Sequence, residues 1–130
     1  MAAIVPGPSE ATVVADASAI IAALDAAHPH HADALIAFGN DPWIVHAMQV
    51  AEVLVHPAHE SAEQAKRVLD GLVDAGAIIE YFLDPIGVAL VRAQTRLKMP
   101  DAIALWTSRV HNADLITFDA ELARHATQGG

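Results

Sequence analysis

The sequence has no cysteine among its 130 residues. Disulfides and thiolate metal sites are therefore excluded, a composition that suits a reducing cytoplasm. Basic residues are scarce: seven Lys and Arg face 16 Asp and Glu, for a formal net charge of −9. Such an excess repels a polyanion unless the acids gather around a cation or the bases collect on one side, so charge argues against a generic nucleic-acid binder. No uninterrupted apolar run approaches the ~20 residues of a membrane span, and Met1-Ala-Ala-Ile-Val-Pro-Gly-Pro8 has neither the basic residue nor the long apolar core of a leader. Repeats, low-complexity tracts and linkers are lacking as well. A single soluble, unprocessed domain over residues 1–130, cytoplasmic and without a membrane partner, is the expectation, and its 54% hydrophobic content is ample for a core.

What is present is organised around the first apolar run, residues 11–24. Val13 and Val14 suit a buried strand, whereas Ala19, Ile20, Ala23 and Leu24 fall at helical spacing, so Asp16 sits on the turn between strand and helix. In open α/β sheets the ligand crevice lies at the carboxyl ends of the strands, which is where this turn puts Asp16 and the Ser18 hydroxyl. Either residue could equally serve as a helix N-cap.

Further along, Pro29 and Gly39 bracket a short helix with Ala34, Leu35 and Phe38 on its apolar side. His28, His30 and His31 invite a metal reading, but a histidine ligand usually needs a supporting partner and none is evident; a solvated helix entry is the better account. Trp43-Ile-Val-His46 reads as a second strand. The helix from Ala47 to His56 is apolar nearly all round, broken by Gln49, Glu52 and His56 on one stripe and ended by Pro57. That stripe is either a functional cleft or the helix's wet face. An amphipathic helix follows from Glu60 to Asp74, with Ala62, Ala65, Val68, Leu69, Leu72 and Val73 inward and Lys66 and Arg67 outward. Gly76 stops it, and residues 77–83 read as a third strand. Asp84-Pro85 opens a helix through Ile86, Ala89, Leu90, Ala93 and Leu97. Arg92, Arg96 and Lys98 make the most basic stretch, suited either to the dipole at that helix's C-terminus or to steering phosphates. Met99 begins another helix with Asp101 at its mouth. A short strand, Leu115-Ile-Thr117, then runs into Phe118-Asp119; Glu121 to His125 adds a last turn or two of helix, and Gly129-Gly130 reads as a frayed end.

Strands alternating with helices imply a parallel sheet covered on both faces, and right-handed crossovers bring Asp16 and Asp119 to one sheet edge. If Glu52 and Asp101 project into the same crevice, four carboxylates share a pocket that cannot hold four charges without a cation. All-oxygen ligands select Mg²⁺ or Mn²⁺, which points to metal-assisted phosphodiester hydrolysis.

At these residues the chain resembles the PIN-domain ribonucleases, most closely the toxins of VapBC toxin–antitoxin pairs. Four pieces carry the likeness in order: Val13-Val-Ala-Asp16-Ala-Ser18-Ala-Ile, Ala51-Glu52-Val-Leu-Val, Met99-Pro100-Asp101-Ala-Ile-Ala-Leu and Leu115-Ile-Thr117-Phe-Asp119. The resemblance implies a three-layer α/β/α sandwich around a parallel sheet of four strands, with a fifth in doubt because residues 125–130 offer no apolar run. It further implies a quartet of Asp16, Glu52, Asp101 and Asp119 around Mg²⁺ or Mn²⁺, supported by Ser18 and Thr117. RNA as substrate, a small antitoxin covering the acidic groove, and a homodimer follow from the same likeness. Two other folds with an aspartate after the first strand fit less well. A haloacid-dehalogenase-like phosphatase needs a carboxylate where Ser18 stands, and a receiver domain needs paired acids and a late lysine. A catalytically silent PIN-like domain that binds RNA or protein is the alternative left open.

Overall fold

The computed structural model describes residues 13–128; the expectations for Ala11, Thr12 and Gly129-Gly130 lie outside this range. Four strands, β1 (Val13–Ala15), β2 (Trp43–His46), β3 (Ala77–Glu80) and β4 (Asp114–Ile116), form one parallel sheet in the order β3-β2-β1-β4. Seven helices among the described residues connect them: α1 (Ala17–Leu24), α2 (His31–Phe38), α3 (Ala47–Ala58), α4 (Ala62–Asp74), α5 (Pro85–Thr95), α6 (Met99–His111) and α7 (Ala120–Gln128). Side chains alternate across the strands and so divide the core in two. Ala15, Trp43 and Val45 pack under α1, α3 and α4 with Ile20, Val50, Val53 and Leu72. On the opposite face Val14 and Ile44 pair, α6 lies over β1 and β2, and α5, α6 and α7 join through Val91, Leu97, Leu105 and Leu122. The molecule is the expected three-layer α/β/α sandwich. No helix among the described residues is long and apolar enough to cross a membrane.

The strand ends hold the adjustments. β3 stops at Glu80, and Tyr81 and Phe82, read as strand, lie exposed beyond it. β4 begins one residue earlier than expected and ends at Ile116, so Thr117 is free of the ladder. The segment after β4 is helical through Gln128, leaving four strands in the described sheet. Gly76 enters β3 at φ 107° with the Pro42 and Asp41 backbone against it, a conformation that an L side chain resists.

Three helices differ from their sequence patterns. Pro57 does not end α3; it sits inside the last turn, and the helix closes at Ala58. Nor is α3 buried on most sides: Gln49, Val50 and Val53 form its inner face while Met48, Ala51 and Val55 meet solvent. In α4, which starts at Ala62 behind a Ser61 cap, Leu72 is buried, Ala65, Val68 and Leu69 are half-buried, and Ala62 and Val73 are exposed. The largest reversal is in α5. Val88 and Val91 face the core, whereas Ile86 and Leu90 are 71% and 56% exposed, with Ala89 and Ala93 also outward. This helix is apolar on every side, so periodicity alone could not choose its inner face. Close approach chooses it: a Cβ at Gly87 would stand 2.7 Å from the indole nitrogen of Trp106 on α6 and 3.0 Å from Asp84 Oδ2.

That contact makes Gly87 and Gly71 a matched test, since both are helical glycines and Gly71 has nothing within 4 Å of its would-be Cβ. Gly71→Ala should raise stability by up to about 1 kcal/mol through helix propensity. Gly87→Ala gains the same propensity but overpacks against a buried indole at a cost of about 1–3 kcal/mol, so it should lower stability. Urea unfolding of the two variants checks the opposite signs.

Candidate active site

Asp16 leaves the end of β1 and is the N-cap of α1, 3% exposed. Its Oδ1 accepts from the Ala19 amide at 2.9 Å and from the Ser18 hydroxyl at 2.7 Å, and its Oδ2 accepts from Thr117. Ser18 Oγ in turn accepts from the Phe118 amide at 2.9 Å, and Thr117 Oγ1 accepts from the Asp119 amide at 3.0 Å. Capping and membership of a polar cluster are thus two uses of one carboxylate. The same bonds tie the exit of β1 to the exit of β4 and bring Ser18 and Thr117 onto the Asp16 carboxylate. Asp119 caps α7, its Oδ1 accepting from the Leu122 amide at 3.0 Å.

The residue that sequence reasoning misplaced is Gln49. Its spacing groups it with Glu52 and His56 on one stripe, read as either a cleft or a wet face, but it is 2% exposed while those two reach solvent. Its Oε1 accepts from the Ala17 amide at 3.0 Å and its Nε2 donates to the Pro100 carbonyl at 2.6 Å. One amide side chain therefore joins the first turns of α1 and α6, next to Asp16 and Asp101 respectively. Its only sequence signal is an uncharged amide among carboxylate-bearing turns. His46, buried at the end of β2, was likewise read only as strand. Its Nδ1 accepts from the Met48 amide, so the hydrogen is on Nε2, which donates to the Phe82 carbonyl at 3.0 Å and fastens the loop after β3.

The four carboxylates act on one another. Burial raises the pKa of Asp16 above the ordinary aspartate value, against the lowering by hydrogen bonds from Thr117, Ser18 and Ala19, and the charge of Asp119 raises it further. Glu52 is raised by the protein around its carboxylate and then by Asp101 and Asp16, with Lys98 opposing. For Asp101 burial again leads, followed by Asp119; Lys98 opposes, and Asp16 and Glu121 add to the rise. Glu121, in the first turn of α7, is a fifth acid that the sequence reading passed over. Among the described residues no three carboxylates or imidazoles are gathered closely enough to hold an ion as they stand. The donor set nevertheless fits a hard cation in kind, being oxygen only, and such an ion commonly completes its shell with water.

The basic stretch divides. Arg92 donates from Nε to the Leu97 carbonyl at 3.2 Å, at the C-terminus of α5, as the dipole reading expected. Arg96 takes the left-handed conformation that ends that helix, and Lys98 lies in the field of Glu52 and Asp101. The three histidines are individually engaged: His28 Nδ1 accepts from the His30 amide, His31 Nδ1 donates to the Ala22 carbonyl, and His30 stacks on Phe118.

The chain belongs to the PIN-domain family, whose sequence model matches residues 13–128. Solved structures of similar fold include Mycobacterium tuberculosis VapC20, described as a sarcin–ricin loop cleaving toxin. It is 13% identical at a TM-score of 0.67, over 87% of this chain and 94% of that one. PAE2754 from Pyrobaculum aerophilum is 20% identical at a TM-score of 0.63, over 89% of this chain and 85% of that one. No curated protein matches the chain significantly.

The raised pKa values fix the direction of a stability effect. An acid whose pKa is higher folded than unfolded leaves the folded state with more bound protons. Its stabilisation is therefore present below the ordinary value near 4 and lost as pH rises through the folded value. Asp16→Asn removes one such charge, and the network can rewire around it, because Thr117 can turn its hydroxyl to Ser18 Oγ, 3.3 Å away, and accept from the asparagine amide. Without metal at pH 7 the variant should melt above the parent by a few degrees, about what ~1 kcal/mol yields in a domain of this size. The gap should close toward pH 4, and added Mn²⁺ should stabilise the variant less than the parent. Scanning calorimetry across pH with and without Mn²⁺ checks all three.

Gln49→Leu keeps the volume but orphans the buried Ala17 N–H, while the Pro100 carbonyl loses only its second donor, being inside the first turn of α6. A loss of about 1–3 kcal/mol in urea unfolding is expected for the one buried unpaired group.

Proposed function

We propose that this protein is a Mg²⁺- or Mn²⁺-dependent endoribonuclease, the toxin of a type II toxin–antitoxin pair. The observation that carries the reading is the mutual electrostatic influence of Asp16, Glu52, Asp101 and Asp119, brought from four separate segments to one edge of a PIN-domain sheet. In this reading those four side chains would hold the metal, and Ser18 and Thr117 support them. The ion would supply charge for the developing oxyanion and acidity to a bound water. The chain's own residues do the rest. Ala19, Ser18 and Thr117 fix the orientation of Asp16, and Gln49 fixes the turns that bear Asp16 and Asp101. Because burial and repulsion disfavour the charged form of three of the acids, a cation bound there would relieve stored repulsion.

RNA as substrate is supported by the family and by the description of VapC20, which belongs to that protein. For the antitoxin we assign the groove of about 460 Å³ between α1, α3 and α4. Its floor is apolar, with Ile21, Leu24, Val53 and Val68, and Asp25, Glu52 and Glu60 edge it. That chemistry suits a segment that buries apolar side chains and offers arginine to the carboxylates. A homodimer would cover Tyr81, Phe82, Ile86 and Leu90, apolar side chains that a monomer leaves in water.

The test is cleavage of single-stranded and structured RNA with Mg²⁺ or Mn²⁺, stopped by excess EDTA. Glu52 is exposed, so Glu52→Gln should keep the parent's melting temperature within a degree or two while turnover falls at least about 100-fold, as when one electrostatic stabiliser is removed. RNA binding without any metal-stimulated cutting would favour a silent PIN-like binding domain, and cutting undiminished in EDTA would exclude the metal mechanism.

A further inference from the structure

The histidine loop between α1 and α2 lies against the polar cluster at the strand ends. His30 is exposed, and its imidazole lies over the Phe118 ring with centroids 4.6 Å apart and planes within 8° of parallel. His28 follows at 5.7 Å, its ring tilted by 42°. Phe118 itself is half-buried against the core beneath α1, and its amide donates to the Ser18 hydroxyl that bonds Asp16. It is flanked by Thr117 and Asp119. A short series of rings thus runs from half-buried Phe118 at the core through exposed His30 to half-buried His28. The loop is set in place beforehand: the His28 amide donates to the Asp25 carbonyl, the His31 amide to the His28 carbonyl, and the His30 amide to His28 Nδ1. That last bond puts the remaining hydrogen of a neutral His28 on Nε2, as a donor.

We propose that His30, stacked on Phe118 and flanked by His28, is a platform for one unstacked nucleobase of an RNA strand whose phosphodiester lies at the acidic cluster. This rests on the ribonuclease reading above. Charge makes the platform useful. At a net charge of −9 the protein has little with which to hold phosphates, and several of its cations have other work: Arg92 is on the Leu97 carbonyl, Lys66 on Asp70, and Lys98 offsets Glu52 and Asp101. Stacking recruits a strand without needing positive charge, because every base has a π-face. A loop held only to close the fold would not need its outermost ring in water.

The experiment compares a fluorescent single-stranded adenosine 12-mer RNA with the same ribose-phosphate chain carrying one abasic position at each site in turn. Binding is measured by anisotropy in the Asp16→Asn background, and kcat and KM are measured with Mn²⁺ in proteins that retain Asp16. The 12-mer should bind at least about fivefold more tightly than the weakest abasic chain, the low end of stacking one base. His30→Ala should erase that contrast and raise KM with little change in kcat, whereas His30→Phe, which keeps a ring on Phe118, should retain both. A loop that merely anchors the fold predicts a lower melting temperature for His30→Ala with the abasic contrast intact, and that result overturns the platform. If the protein binds with the contrast but cuts no RNA, the platform stands and the hydrolase reading falls. If it cuts RNA with no abasic contrast, only the platform falls, and failure both to bind and to cut removes both.

Discussion

One buried amide governs how this molecule can present its acids. Gln49 accepts from the first N–H of α1, a buried contact, and donates to a half-buried carbonyl in the first turn of α6. Helix N-termini carry unpaired amides and an incipient positive end, so two of them meeting at the carboxyl edge of a sheet need a fixed relation if the acids beside them are to face one another. Gln49 supplies that relation without adding charge. A glutamate there would add another negative charge to the cluster and lose the donor for Pro100, and an aliphatic residue would leave the Ala17 N–H unpaired.

Around this fixed point the structure tolerates an electrostatic conflict. Asp16 is satisfied by three donors and still sits in a place that disfavours its charge, because burial outweighs the hydrogen bonds and Asp119 adds repulsion. The excess of acid in the composition therefore has a local counterpart: part of it converges on one edge instead of being spread over the surface. Lys98, beside Glu52 and Asp101, moderates that convergence without neutralising it. A cation is the species whose binding such an arrangement favours, which is why the same feature that argues against an ordinary RNA-binding surface supports a metal-using one.

The two sides of the sheet differ in what they leave open. Beneath α1, α3 and α4, helix packing is incomplete at Ile21 and Leu24, which creates an apolar groove rimmed by acids next to the site. On the other side, the close contact of α5 with Trp106 turns one apolar stripe inward and leaves a second in solvent. Both features follow from a chain too apolar to bury all its hydrophobic surface in a sheet of four short strands.

The alternation of strands and helices, the parallel sheet and the strand-end positions of Asp16 and Asp119 were legible in the sequence, because they depend on local period, β-branching and caps, which act over a few residues. The helix start at Asp84 belongs to the same class. What lay beyond reading depended on partners far along the chain. Gln49 shared a stripe with Glu52 and His56 whose role stayed open between cleft and wet face, because periodicity reports which residues share a face, not which backbone groups will come within reach 32 and 51 residues away. Val88 and Val91, rather than Ile86 and Leu90, face inward because Gly87 meets an indole, a contact decided between helices. The stack of His30 on Phe118, 88 positions apart in the sequence, and the convergence of Thr117 and Ser18 on Asp16 likewise required the sheet to bring β1 and β4 side by side. Sequence determined the elements and the identity of the acids; tertiary structure decided their neighbours, since burial, repulsion and hydrogen-bond reach are properties of distance in space.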